Sequence, residues 1–274
     1  MTTKKGYKSV PLSFNRRAVI ASATMTKNKN AIHCFTEVDI TAPRDLIKKH
    51  FEKTGEKLSL TAYIVTCLSY VIKDYPRFNS FTKGGKLILL DDITISVLIE
   101  REIAGENVPE PIGIKKTQDK TYLQIHQEIR EAKKQHTDTL GSLSGQTWIS
   151  LIPSFLLRLF IRIADKNIYM AKKYGKIAVT AVGMFSKEPI WFIPHGIATV
   201  LITVGSIEKK IIELDNQFVS REHLCLTVSF DHDIVDGAPA TRFMNQLLET
   251  IKSGQLVQSD LKIEPKNASA QQAV

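Results

Sequence analysis

Residues Leu224 to Phe243 read LCLTVSFDHDIVDGAPATRF. Leu224, Leu226, Val228 and Phe230 alternate with Cys225, Thr227, Ser229 and Asp231, and that period of two, rich in β-branched residues, reads as a half-buried strand. His232 stands where the strand ends. Asp236-Gly237 supplies a turn, and Pro239 falls in the first turn of the following helix, where proline is tolerated. Phe243, Leu247 and Ile251 then recur at helical spacing, and Gly254 closes the helix. Two local readings are open. Asp236 is a helix N-cap beside an ordinary turn histidine, or the imidazole is a base held at a strand end that is rigid yet open to a cleft.

Composition narrows the class. With 274 residues, 43% hydrophobic and 24% charged, the chain suits one large domain or two small ones. The opening MTTKKGYKSV has no apolar run of a secretory signal. Cys34, Cys67 and Cys225 are scattered in apolar segments and read as reduced core residues, so a cytoplasmic location is expected, with no disulfide framework and no metal site. The net charge of +9 is spread in pairs such as Lys48-Lys49 and Lys172-Lys173, which suit solvated faces, a polyanionic ligand or an acidic surface. No nucleic-acid module is visible, nor any GxGxxG, P-loop or GxSxG motif.

Outward from the opening stretch, residues 1–11 form an N-terminal arm, 12–258 the main domain and 259–274 a polar tail expected to be disordered. Segment 31–41 alternates as a strand, Leu60 to Lys73 carries apolar residues at helical spacing, and Gly84-Gly85 turns a hairpin. Ile93–Ile99, 109–114 and 176–182 read as strands, and Tyr122 to Gln135 as a charged helix. Gly141 to Gly145 is a flexible break. Ile193 to Gly205 is a loop running into a strand that ends at the glycine, and Ile211 to Phe218 a small hairpin.

Trp148 to Lys173 reads as a single, strongly apolar helix in which Arg158 and Arg162 stand four apart. Its apolar run includes Pro153 and falls short of the ~20 residues a spanning helix needs. Three readings stay open: a core or subunit-contact helix, a helix facing a membrane surface or a hydrophobic substrate, and a true span.

The hexapeptide His232-Asp233-Ile234-Val235-Asp236-Gly237 resembles the HxxxDG signature of the dihydrolipoyl acyltransferases of 2-oxoacid dehydrogenase complexes and of chloramphenicol acetyltransferase. The arginine-bearing SFNRRAVIASATM, the string Glu37-Val38-Asp39, YPRFNSF, KIAVTAV running into Gly183, and the proline-containing loop before Gly205 follow in the family's order. The likeness covers about residues 12–258. Thr180 stands where the acyltransferases carry serine, Ala181 where asparagine is usual and Asp233 where they carry arginine. The apolar helix has only a short loop as its counterpart.

That resemblance implies an α/β fold, a two-layer sandwich of a mixed sheet with helices, assembled as a homotrimer with its sites between subunits. It implies acyl transfer from a coenzyme A thioester to a thiol, hydroxyl or amine. His232 is then the general base, as a residue type with a reference pKa near 6.5 suits that task, and Thr180 the oxyanion donor. Asp236 holds the loop, paired with Arg16 or Arg17, and Gly237 supports it. With no lipoyl domain in the sequence, a lipoyl acceptor is expected in trans. The alternatives are a non-catalytic trimeric scaffold of the same fold and a condensation catalyst on carrier-bound acyl groups.

Overall fold

Six strands of alternating or continuous apolar character make the sheet on which everything else rests. The computed structural model describes residues 3–4, 6–103, 106–134, 153–183, 186 and 188–262. Within them, two short strands, β1 (Thr3–Lys4) and β2 (Tyr7–Lys8), pair in the N-terminal arm. The main sheet holds β3 (Ala31–Asp39), β6 (Ile95–Ile103), β7 (Glu106–Ile114), β8 (Ile177–Ala181), β9 (Val200–Leu214) and β10 (Gln217–Asp231), in the order β3-β10-β9-β8-β6-β7. Strand β8 runs parallel to both β9 and β6, and the remaining pairs are antiparallel, so the sheet is mixed. A hairpin of β4 (Ser80–Lys83) and β5 (Lys86–Leu89) stands apart, turning at Gly84-Gly85 as its sequence requires.

Helices cover one face: α2 (Thr41–Thr54), α3 (Leu60–Ile72), α4 (Tyr122–Lys134), α7 (Gly237–Ser253) and α8 (Gln255–Asp260). Leu224, Leu226, Val228 and Phe230 of β10 point into this layer, as the alternation requires, together with Val200, Ile202 and Val204 of β9 and Val179 of β8. Burying each such side chain contributes about 1.5–3 kcal/mol. Phe243 of α7 meets Phe230 edge-on at 5.8 Å and Phe78 at 4.9 Å. These aromatic contacts fix the start of α7 against the end of β10, immediately behind His232.

The opposite face is polar. It carries Thr180 of β8, Thr203 of β9, and Thr227 and Ser229 of β10. Residues 188–199 cross it: the Ile190 amide donates to Ser206 Oγ, and Trp191 Nε1 donates to the Thr36 carbonyl. This crossing demands glycine. A Cβ on Gly205 would lie 2.3 Å from the Ile190 carbonyl oxygen, and one on Gly183 1.8 Å from the Gly205 carbonyl carbon.

Four expectations change. The strand entering Gly205 does not end there: the β9–β10 register shifts between Leu224 and Leu226, and the ladder resumes to Leu214. The pair Ile211 to Phe218 is therefore the tip of one long hairpin. The predicted helix Trp148 to Lys173 is two helices where described, α5 (Ser154–Asp165) and α6 (Ile168–Tyr174). Asn167 divides them, because its side chain caps α6 by accepting from the Met170 amide, while Pro153 is extended ahead of α5. Residues 148–152, and the expected break at 141–145, lie outside the described residues. Finally, the ordered body passes residue 258: Val257 is fully buried, and Asp260 accepts from the Leu123 amide at 3.3 Å. Of the expected tail, 263–274 lies outside the described residues.

Candidate active site

Asp231 ends β10 on the polar face and is buried. Lys29, just beyond the helix α1 (Phe14–Met25), answers it: its Nζ donates to Asp231 Oδ2 at 2.6 Å and to the Ile197 carbonyl at 2.6 Å. Asn30 accepts from the His232 amide at 2.7 Å, and its side chain donates to Asp233 Oδ1 at 2.9 Å. The Asp231 carbonyl accepts from the Ile234 and Val235 amides, and Asp231 Oδ1 from the Asp233 amide. The backbone on both sides of His232 is thus held, while its side chain stays 45% exposed. The imidazole's charged neighbour is Asp236, with Nδ1 to Oδ1 at 3.9 Å.

Asp236 occupies the N-cap position of α7, yet its side chain accepts no capping bond and is 82% exposed. Both local readings are therefore half met: the position is a cap, but the carboxylate faces the imidazole instead of the helix. Among the described residues, the ion pair at Asp236 does not join it to Arg16 or Arg17, the expected partners. Those arginines lie in the first turn of α1, capped by Ser13, and among the described residues the ion pair of Asp236 is with His232. Gly237 has no positive φ, and a Cβ there would meet nothing within 4 Å. Among the described residues, nothing around position 237 requires glycine.

Thr180 is half-buried on β8, opposite Leu98 on one side and Thr203 on the other. Among the described residues its hydroxyl has no hydrogen-bond partner. Thr203 pairs in turn with Thr227, so three threonines stand abreast on adjacent strands, and the hydroxyls of Thr203 and Thr227 are buried without a partner. Within one chain Thr180 and His232 do not meet. Thr180 is level with Thr227, two strands across from it, and His232 lies five residues further along β10. At ~3.4 Å per residue and ~4.8 Å per strand, the two are on the order of 20 Å apart.

Other histidines and the cysteines have quieter roles. His33 shares a 2.7 Å hydrogen bond with Ser229 Oγ on the polar face, and His195 is exposed. Burial pushes the thiols of Cys34, Cys67 and Cys225 up, so none presents a ready thiolate. Among the described residues, no group of three or more His, Cys, Asp or Glu side chains is placed to hold a metal, and no helix is long and apolar enough to cross a membrane. Sequence reading missed Lys29, Asn30 and the Thr203–Thr227 pair; the one signal present was the buried-polar register of Thr227 and Asp231.

A family profile described as 2-oxoacid dehydrogenases acyltransferase (catalytic domain) matches residues 4–145 and 170–258. The whole of α5 falls in the gap between the two matched segments. The lipoamide acyltransferase component of the branched-chain α-keto acid dehydrogenase complex of Bacillus subtilis is 27% identical over 256 residues, covering 90% of this chain and 53% of that protein. The chain spans a little over half the length of the curated relatives it matches. Among solved structures, a dihydrolipoamide acetyltransferase of Azotobacter vinelandii superposes with a TM-score of 0.70 at 19% identity, covering 92% of this chain and 93% of the other. A chloramphenicol acetyltransferase superposes at 0.50 with 13% identity, covering 85% and 92%. Fold and sequence agree: the chain belongs to the 2-oxoacid dehydrogenase acyltransferase catalytic-domain family.

Proposed function

We propose that this protein transfers an acyl group between coenzyme A and a thiol, hydroxyl or amine acceptor, a lipoyl group among them, in a site shared by two subunits of a homotrimer. The observation that carries the reading is the contrast at His232: a backbone locked by Asn30 and Asp231, and an imidazole left open. A general base needs that combination, since its aim must be fixed before substrate arrives.

The chemistry follows from what each residue can do. With Nδ1 turned to Asp236, Nε2 of His232 is the nitrogen left to take the proton of an incoming thiol. The thiolate attacks the thioester carbonyl, and the developing oxyanion needs a donor already in place. Collapse of the intermediate breaks the bond to the donor sulfur, whose thiolate leaves and takes the proton back from Nε2. Thr180 supplies an uncommitted hydroxyl, but on the order of 20 Å from His232 of its own chain. A neighbouring subunit's Thr180 resolves that distance.

Relatives support the assignment. The work on the Azotobacter enzyme concerns the role of a serine, a histidine and an asparagine in its mechanism, and their sequence separations equal those of Thr180, His232 and Asp236. Another structural neighbour is the cubic core of the pyruvate dehydrogenase multienzyme complex.

The test is a panel of acyl-CoAs with thiol, amine and hydroxyl acceptors, following thiol release. Turnover by the wild type and a fall of about 10²–10⁴ in His232→Ala is the expected result. A folded trimer that turns over no pair is instead the non-catalytic scaffold.

A further inference from the structure

Helix α5, in the stretch the family match skips, is bound among the described residues on one side. Its inner side buries Leu157 and Asp165, and Asp165 holds the buried Lys176 Nζ at 2.6 Å. Helix α1 packs against it. Its outer side presents Phe155, Leu156, Leu159, Phe160 and Ile163, each between 43% and 67% exposed. Five large apolar side chains on one short helix exceed the scattered exposure normal for a soluble surface.

Charge selects what covers them. From Pro153 to Tyr174 the exposed ionic groups are Arg158, Arg162, Lys166, Lys172 and Lys173, and the sole carboxylate, Asp165, is buried against Lys176. Two copies of the α5 face brought together would set Arg158 and Arg162 against their counterparts with no carboxylate between them. An anionic bilayer answers both features, apolar chains below and phosphate or carboxylate headgroups at the rim. Twelve residues make a helix ~18 Å long, too short to span and suited to lying in the interface.

We propose that the outer face of α5, with the basic side chains at its rim, docks in the plane of an anionic lipid membrane. The proposal is independent of the acyl-transfer reading, since it uses none of the residues assigned to that chemistry.

The test is flotation of the full chain with phosphatidylcholine vesicles and with vesicles also containing phosphatidylserine. The expected result is binding to the anionic vesicles that weakens as salt is raised, with little on the neutral ones. The double variant Leu159→Glu/Phe160→Glu should lose it while keeping the wild-type oligomeric state and His232-dependent turnover. Arg158→Gln/Arg162→Gln, which leaves the apolar stripe intact, should bind about tenfold more weakly or worse. Absence of wild-type binding to either vesicle, or equal binding by the glutamate variant, overturns the proposal. So does a glutamate variant whose oligomeric state shifts without vesicles, because the face then belongs to another subunit.

Discussion

At the residue scale the decisive contrast is between two threonine substitutions at one position. Thr180→Val keeps the β-branched shape of a half-buried strand residue and removes the hydroxyl; Thr180→Ser keeps the hydroxyl and frees χ1. If that hydroxyl stabilises an oxyanion, valine should cost about 10²–10³ in turnover with little loss of stability, and serine should retain most activity. Valine as active as threonine would place the donor elsewhere. A second residue carries a pH prediction. His126 is buried, and its Nδ1 accepts from the Ser59 amide. Burial lowers its pKa; Glu56 opposes that shift, while Arg130 and His50 add to it. The unfolded chain therefore binds a proton here more readily than the folded one, so stability is full above the unfolded value near 6.5 and falls as pH drops below it. Urea unfolding between about pH 7 and pH 5 should show that slope, reduced in His126→Gln; an unchanged slope removes His126 as its source. His232, Asp236 and Thr180 could be named from spacing and resemblance. Lys29 could not, because the Asp231 it neutralises lies 202 positions away, and no local pattern encodes such a pair.

At the element scale the insertion is the informative part. Its outer face tolerates change, but its inner end does not, since Asp165 is the carboxylate that balances buried Lys176. Breaking such a pair by removing one partner leaves a buried charge and costs about 3–5 kcal/mol. Asp165→Ala should lower the denaturant midpoint accordingly, whereas Leu159→Glu/Phe160→Glu should move it little; the reverse order would mean that the helix is seated the other way round. Deleting the whole insertion is for the same reason expected to unfold the chain. The elements with clear periodicity (α3, the β4–β5 hairpin, the Leu224–Asp231 half of β10) stand where the sequence places them, because their apolar spacing is local. The break at Asn167 and the bulge beside Gly205 were not legible. The apolar pattern runs through the first without interruption, and the second answers a loop pressed onto the strand from elsewhere.

For the whole molecule, the mixed sheet brings the chemistry-bearing residues onto one polar face and keeps them apart on it. Nothing in the periodicity reveals that β8 lies parallel between β6 and β9; the family resemblance implies a mixed sheet and no strand order. That strand order holds Thr180 two strands away from β10 and well short of its His232 end. The central claim, a site completed by a neighbouring subunit, is tested most directly by mixing chains. His232→Ala and Thr180→Val, each nearly inactive alone, would be unfolded together in equal amounts, refolded, and shown to have formed mixed trimers. Random assembly then pairs an intact His232 with an intact Thr180 at about one interface in four. The account predicts recovery of about a quarter of wild-type turnover. Mixed trimers no more active than the average of the two parents would contradict it.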